Sequence, residues 1–225
     1  CGVFGYVGKP KVDLSDFLLA GLKKLEYRGY DSAGIAVFTD GGVKIVKEIG
    51  KLSNLENRLS GKSFAGTVGI GHTRWATHGG VTEKNAHPHS DCSKNIWLAH
   101  NGIIENYEAL KKDLISKGHK FKSQTDTEVI AHLVEEIKKS NGFSLEEAMR
   151  LALKEVKGTY GIVAFDKREA GKLVVARNFS PLVLGLGKDE LFVASDATPI
   201  ASHTRRLVYL KDGEMAVLKR DGYKI

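Results

Sequence analysis

Apolar residues follow three regimes along this chain: mostly strand-type runs at first, helical spacing in the middle, and short strand-type runs again at the end. This order, with several hairpins, favours an α+β fold with antiparallel sheets, because a parallel sheet would need alternating β and α segments. Predicted strands lie at 3–7, 33–38, 43–49, 67–73 and 95–100, then at 159–165, 172–176, 182–186, 191–195, 207–210 and 215–218.

Helical spacing predicts helices with recognisable start signals. The first begins at Leu14 behind the candidate caps Asp13 and Ser15 and ends near Arg28 and Gly29, and a later one begins with the capping box of Ser144 and Glu147. Ser53 and Glu56 form the same pattern at the start of a short helix. Further helices are predicted at 107–114, 130–137 and 197–202.

The composition is that of a globular chain rather than a disordered or disulfide-rich one. The 225 residues are 42% hydrophobic and 27% charged, and no shift marks a boundary, so one domain over 1–225 is expected. The net charge of +7 lies on helical faces without interleaved aromatics, which argues against nucleic-acid binding. The 2 cysteines and the lack of an apolar run near the roughly 18 residues of a membrane span predict a cytoplasmic chain without membrane contact.

Cys1 places a thiol and a free α-amine within one residue. An α-amine has an ordinary pKa near 8, so part of it is neutral at pH 7 and can take the thiol proton, directly or through a water. The alternative is that the chain merely happens to begin at a cysteine. Gly2 and the apolar strand after it favour the catalytic interpretation, because they hold Cys1 at the end of a buried element.

A second group of polar residues follows the strand at 67–73. Arg74 carries a permanently charged, planar guanidinium that can bind a carboxylate through two hydrogen bonds. An isolated arginine is, however, more often part of a surface ion pair. Trp75 is either a buried core residue or, because Gly79 lies close by in sequence, part of a mobile loop over a binding site.

A third group follows the strand at 95–100. Asn101 and Gly102 offer a side-chain amide and an unobstructed backbone N–H, the two donors that an oxyanion needs, although Asn-Gly is also a common turn. Asp126 precedes a helix, where capping is the simpler interpretation and binding of an ammonium group the alternative.

The histidines raise the question of a metal. His87 and His89, with His72, His78 and His100 nearby, lack the carboxylate or cysteine spacing of a metal site, so no metal is expected.

Taken together, these residues resemble the N-terminal glutaminase domains of the glutamine:fructose-6-phosphate amidotransferases, a family of class II glutamine amidotransferases. Related amidotransferases share the first cysteine and the Asn-Gly pair, whereas the blocks at 28–34 and 72–79 are similar to the sugar-phosphate enzymes. The matching blocks are residues 1–3, 25–34, 72–79, 85–89, 100–106, 125–128 and 180–182, which spread over essentially the whole chain.

The resemblance implies an N-terminal-nucleophile hydrolase fold: a four-layer αββα sandwich of two antiparallel sheets between helices. It also implies removal of an initiator Met to expose Cys1. Cys1 would attack the carboxamide of glutamine while its amine relays the proton. Asn101 and Gly102 would hold the oxyanion, and Arg28 and Gly29 would shape the surroundings of the nucleophile.

For substrate binding, the resemblance assigns Arg74 to the α-carboxylate of glutamine and Asp126 to its α-ammonium. Trp75, Thr77 and His78 would belong to the loop that closes over the ligand. The residues agree with this assignment, since glutamine is a zwitterion and a fixed cation and anion would select it over simple amides.

The implied function is hydrolysis of L-glutamine to L-glutamate and ammonia for the synthesis of glucosamine 6-phosphate from fructose 6-phosphate, without a cofactor. The alternative is the glutaminase half of another class II enzyme, such as amidophosphoribosyltransferase. The expected partners are L-glutamine and a C-terminal sugar isomerase domain absent from these residues, with a homodimer in the full-length protein.

Overall fold

The computed structural model describes residues 1–11 and 13–225. Within them the elements in chain order are β1 Gly2–Lys11, α1 Leu14–Lys23, a 3₁₀ helix Glu26–Arg28, β2 Ser32–Thr39, β3 Gly42–Ile49, α2 Leu52–Leu59, β4 Gly66–Arg74, a 3₁₀ helix Glu83–Asn85, β5 His89–Ser90 and β6 Ile96–Ile104. They continue with α3 Tyr107–Ser116, α4 Glu128–Asn141, α5 Leu145–Glu155, β7 Gly158–Asp166, β8 Lys172–Asn178, β9 Val183–Leu186, β10 Glu190–Ala194, β11 Leu207–Tyr209, β12 Met215–Lys219 and β13 Gly222–Lys224.

The strands form two sheets in which every described pair is antiparallel. The first has 7 strands in the order β11-β9-β10-β1-β4-β2-β3, and the second has 6 in the order β13-β12-β8-β7-β6-β5. The first strand of the chain is therefore central, between β10 and β4.

Three apolar layers hold the sheets and helices together. Val3 and Val7 of β1 face the core between the two sheets, whereas Phe4 and Tyr6 face the core beneath α1 and α2. A third core joins the second sheet to α3, α4 and α5. A strand buried on both faces is apolar at successive positions, which explains the unbroken apolar run at the start of the chain. The predicted four-layer αββα sandwich is confirmed.

Most predicted elements are present, and two local predictions are wrong. Asp13 caps α1 by accepting from the Asp16 N–H, and Ser144 and Glu147 form a capping box on α5. The box at Ser53 does not form, because α2 begins at Leu52 and the Leu52 N–H donates instead to Glu26 Oε1, 3.1 Å away.

Residues 197–202 form hydrogen-bonded turns rather than the predicted helix. Among the described helices, none combines the length and hydropathy needed to cross a membrane.

Candidate active site

Cys1 lies at the amino end of β1, beside the end of β4, where the register pairs Gly2 with Thr73. A Cβ at Gly2 would lie 2.7 Å from Leu25 Cβ and 2.8 Å from Thr73 Oγ1. Glycine is therefore needed for the chain to pass between Leu25 and β4 and to place Cys1 at the edge of the core.

The amine of Cys1 donates a hydrogen bond to the carbonyl of Arg28. Gly29 permits this approach, because a Cβ there would lie 2.8 Å from the carbonyl carbon of Arg74. Burial, followed by the positive charge of Arg28 and opposed by Asp31, lowers the pKa of the amine from 8.0 to about 6. The amine is therefore mostly neutral at pH 7 and can accept a proton.

The thiol of Cys1 faces a small pocket. The Trp75 N–H donates to Cys1 Sγ across 3.2 Å. The pocket has a volume of about 10 Å³, close to the space of a single water molecule. Its walls are formed by Cys1, Arg74, Trp75, Thr77, His87, His100, Gly102, Thr125, Asp126 and Thr127.

Asn101 contacts Cys1 from β6. Its Nδ2 donates to the Cys1 carbonyl across 3.4 Å, and its Oδ1 lies 2.9 Å from His72 Nε2. Burial, helped by the charge of the chain's amine, holds the pKa of His72 well below its ordinary value, so the ring is neutral. Asn101 Oδ1 can only accept a hydrogen bond, so the single proton of the neutral ring lies on Nε2. His72 thus donates to Oδ1 and keeps the amide donor of Asn101 on the Cys1 side.

Gly102 is part of β6 and not of a turn, so the Asn-Gly turn interpretation does not hold. Its φ is +124°, and a Cβ there would lie 2.1 Å from the carbonyl oxygen of Thr159. Only glycine fits this backbone conformation and spacing. Gly102 thereby lines the same pocket as Cys1 without a side chain in the way.

Arg74 is 3% exposed and belongs to none of the ion pairs in the described part of the chain, so the surface ion pair alternative fails. Its guanidinium donates to the carbonyls of His78, Gly79 and Gly80, the last across 3.1 Å. The cation therefore lines the pocket and also fastens the loop that follows β4.

Asp126 does not cap a helix. Helix α4 begins at Glu128 behind Thr127, without a side-chain cap. Asp126 Oδ2 instead accepts from the Ile104 N–H across 2.7 Å, and Oδ1 lies 3.8 Å from His78 Nδ1. The carboxylate is 4% exposed and lines the pocket, as the ammonium-binding alternative requires.

The loop after Arg74 covers the pocket. Trp75 is 52% exposed and packs edge-on against Tyr30, so it is not a core residue. The Ala76 N–H donates to Asp31 Oδ2 across 2.8 Å. The aromatic side chain of this loop therefore lies largely in solvent, while hydrogen bonds from Arg74 and to Asp31 hold its backbone.

The histidines behind the pocket form a packed, neutral layer. The rings of His72 and His87 stack with centroids 4.1 Å apart, and His89 lies 4.7 Å from His87. Burial holds the pKa of each well below its ordinary value. His100 Nδ1 lies 2.8 Å from the Thr127 hydroxyl, which ties this layer to the segment carrying Asp126.

The structure thus gathers around one pocket residues that the sequence could only propose separately. Cys1, Arg74, Trp75, Thr77, Gly102 and Asp126 line it, while Arg28, Gly29, Asn101 and His78 contact this set from outside. Sequence analysis missed the roles of His72 and Asp31. Both residues had a signal, since Asp31 belongs to the block at 25–34 and His72 to the block at 72–79.

A larger cleft of about 1040 Å³ lies elsewhere, beside Lys47, Arg58 and Lys122. None of the residues predicted for the active site lines it. Its volume therefore gives no reason to move the candidate site away from Cys1.

Residues 72–202 match the family model described as a glutamine amidotransferase domain. The chain is 54% identical to the glutamine–fructose-6-phosphate aminotransferase (isomerizing) of Chlorobaculum tepidum, with 100% of this chain and 37% of the relative covered. The corresponding protein of Bacteroides thetaiotaomicron is 52% identical over 98% of this chain and 36% of its own length. The chain thus spans little more than a third of these curated relatives.

Solved structures agree with the fold. The glutamine phosphoribosylpyrophosphate amidotransferase of B. subtilis, complexed with ADP and GMP, matches with a TM-score of 0.83 and 30% identity, over 100% of this chain and 48% of that one. A structure described as the allosteric regulatory enzyme of purine biosynthesis matches with a TM-score of 0.84 and 30% identity, again over 100% of this chain and 48% of that one. These similarities confirm the N-terminal-nucleophile hydrolase fold and the predicted family: the chain belongs to the glutamine amidotransferase domain family.

Proposed function

We propose that this chain hydrolyses the side-chain amide of L-glutamine to L-glutamate and ammonia, with Cys1 as nucleophile. The observation that carries the proposal is the placement of one sulfur and one amine of lowered pKa beside the same pocket, with the amide donor of Asn101 at hydrogen-bond distance from Cys1.

In the proposed reaction, Cys1 Sγ forms a bond to the carboxamide carbon of glutamine. The Cys1 amine takes the thiol proton, directly or through a water, and passes it to the departing nitrogen as the C–N bond breaks. Ammonia leaves, and water then hydrolyses the thioester to give glutamate and the free thiol. Asn101 Nδ2 and the Gly102 N–H stabilise the negative oxygen of both tetrahedral intermediates, where one such donor is worth roughly 3–4 kcal/mol.

Substrate binding requires the loop after β4 to move outward, because the pocket holds about one water. Arg74 then exchanges the carbonyls of residues 78–80 for the α-carboxylate of glutamine. Asp126 keeps its bond to the Ile104 N–H through one oxygen and offers the other to the α-ammonium. Thr77 and His78 close over the ligand with Trp75.

We further propose that the ammonia serves the synthesis of glucosamine 6-phosphate from fructose 6-phosphate by a C-terminal sugar isomerase domain, in a cytoplasmic homodimer. The relatives named as fructose-6-phosphate aminotransferases are 52–54% identical to this chain, against 30% for the phosphoribosylpyrophosphate amidotransferase. This difference favours the sugar-phosphate acceptor over the alternative.

The test is covalent labelling with a diazoketone analogue of glutamine, followed by peptide mass spectrometry. We expect one adduct, on Cys1, and protection by excess L-glutamine. Cys92 is the internal control, since it is a second cysteine that the mechanism does not use. The Cys1→Ala variant should remain folded by circular dichroism, take no label and release no ammonia from glutamine. Labelling of Cys92 instead, or ammonia release by Cys1→Ala, would contradict the proposal.

A further inference from the structure

Four side chains from three segments direct one potential ligand atom each toward a common point, and none of them belongs to the pocket at Cys1. Cys92 lies between β5 and β6, His119 between α3 and α4, and His132 and Glu135 on α4. Their four ligand atoms all lie within 4.8 Å of one another. The three segments are otherwise separate in sequence, so this convergence is a product of the fold.

Four of the six separations between these ligand atoms are close to the edges of a coordination tetrahedron, and the other two are within 4.8 Å. Cys92 Sγ lies 3.7 Å from His119 Nδ1 and 3.4 Å from His132 Nδ1. Glu135 Oε2 lies 3.1 Å from His119 Nδ1 and 3.5 Å from His132 Nδ1. Zinc bonds of about 2.0–2.3 Å give tetrahedral edges of roughly 3.3–3.7 Å.

We propose that Cys92, His119, His132 and Glu135 bind a structural Zn²⁺ ion. Thiolate and imidazole ligands favour zinc over magnesium or calcium, which prefer oxygen. Four protein ligands fill the tetrahedron and leave no position for substrate, so the site is structural rather than catalytic.

The outer contacts of the two histidines fit the same assignment. His119 Nε2 lies 2.9 Å from Glu136 Oε2, and His132 Nε2 lies 3.3 Å from Glu128 Oε1. A carboxylate on the outer nitrogen fixes the proton there and leaves the inner nitrogen as a metal ligand, which is the usual arrangement around zinc.

Burial and charge also support a bound dication. His119 is 5% exposed, His132 1% and Glu135 3%. One thiolate and one carboxylate balance the two charges of Zn²⁺ within the set of four ligands.

The ion would fasten a segment that leads to the candidate active site. Glu128, which orients His132, also accepts from the N–H groups of Lys122 and Ser123, across 2.8 Å and 2.6 Å. The same segment continues to Asp126. Zinc would therefore stabilise the position of Asp126 without contacting substrate.

The first experiment measures the metal in untagged protein purified without chelators and dialysed exhaustively. Mass spectrometry of the elements should find about one zinc per chain. After replacement of zinc by Co²⁺, the protein should show the visible bands of tetrahedral cobalt and a thiolate-to-cobalt charge-transfer band. This readout uses the native chain, so it does not depend on a variant that folds. Absence of both the zinc and the cobalt bands would overturn the proposal.

The second experiment uses matched cysteine variants. Cys92→Ser should lose the charge-transfer band and most of the zinc, whereas Cys1→Ser should retain both. Glu136→Gln, which changes only an outer contact, should weaken zinc binding by about 10–100-fold. A chelator should lower the Tm of the native protein and of Cys1→Ser but not that of Cys92→Ser. Full zinc content in Cys92→Ser, or loss in Cys1→Ser alone, would place the metal elsewhere and refute the assignment.

Discussion

The depressed pKa of the Cys1 amine predicts the acid limb of the glutaminase pH profile. Burial contributes most to the shift from 8.0 to about 6, and the positive charge of Arg28 contributes next. Because the neutral amine is the proton acceptor, kcat/KM for glutamine should rise with pH through a midpoint near 6. Replacing Arg28 by glutamine removes the positive charge but leaves the amine buried. The midpoint of the pH profile should therefore move upward but stay below 8.

The size of the effect follows from the neutral fraction of the amine. With a pKa of about 6, roughly 90% of the amine is neutral at pH 7, against roughly 10% with the ordinary value. Since Arg28 is the smaller cause, its loss should raise the midpoint by no more than about one pH unit. At pH 6 this lowers the neutral fraction of the amine, and with it kcat/KM, by up to roughly fivefold. Above about pH 8 the amine is mostly neutral in both proteins, so this difference in kcat/KM disappears.

The assay is ammonia release from glutamine between about pH 5 and about pH 9, with Arg28→Lys as the matched control that keeps the charge. Arg28 also donates to the Ser195 carbonyl across 3.2 Å, so either variant can lower activity uniformly. The diagnostic is therefore the midpoint and not the height of the profile. An unchanged midpoint in Arg28→Gln, or a native midpoint near 8, would refute the assigned role of the amine and its electrostatic cause.

Three further outcomes test the pocket. Asn101→Ala should lower kcat for ammonia release by about 10²–10³-fold with little change in KM, because it removes an oxyanion donor; a KM effect alone would contradict that role. Gly102→Ala should destabilise the protein by at least about 1–3 kcal/mol in thermal unfolding, since φ is +124° and the new Cβ would meet the Thr159 carbonyl at 2.1 Å. Gly118→Ala is its control, with positive φ but no atom within 4 Å, and an equal loss in both would remove the steric argument. Asparagine is one methylene shorter than glutamine, so its carboxamide should not reach Cys1 while Arg74 and Asp126 hold its α-carboxylate and α-ammonium. Its kcat/KM should be at least about tenfold lower, and equal values would contradict this binding mode.

Much of the fold could be predicted from local patterns. The apolar run that starts at Val3 requires burial on both faces, and the hairpin at 33–49 and the late strands require antiparallel pairing. The capping box at Ser144 formed as predicted because its partner Glu147 lies within the same turn. The capping box at Ser53 did not form, because the carboxylate of Glu26, a residue distant in sequence, accepts the hydrogen bond from the first N–H of α2 instead.

The candidate site was predicted less completely. Family resemblance identified Cys1, Asn101 and Asp126, whose roles stay predictions until they are tested. It included His72 in the block at 72–79 but gave it no role, because that role depends on the 2.9 Å contact between the two sheets to Asn101. Nor did spacing indicate the cluster at Cys92, since no short motif joins that cysteine to His119 or His132.

The amino-acid sequence by itself determined the α+β class, the antiparallel pairing and the cysteine directly before a buried apolar strand, because these depend on short-range periodicity and on residue identity. The four-layer arrangement came from the family resemblance. Only the tertiary structure decided which polar groups meet. Burial lowers the pKa of the Cys1 amine, β6 brings Asn101 to it, and three separate segments bring Cys92 to two histidines and a carboxylate. Electrostatics and ligand geometry depend on distances of a few ångströms between groups far apart in the chain, which one-dimensional patterns do not contain.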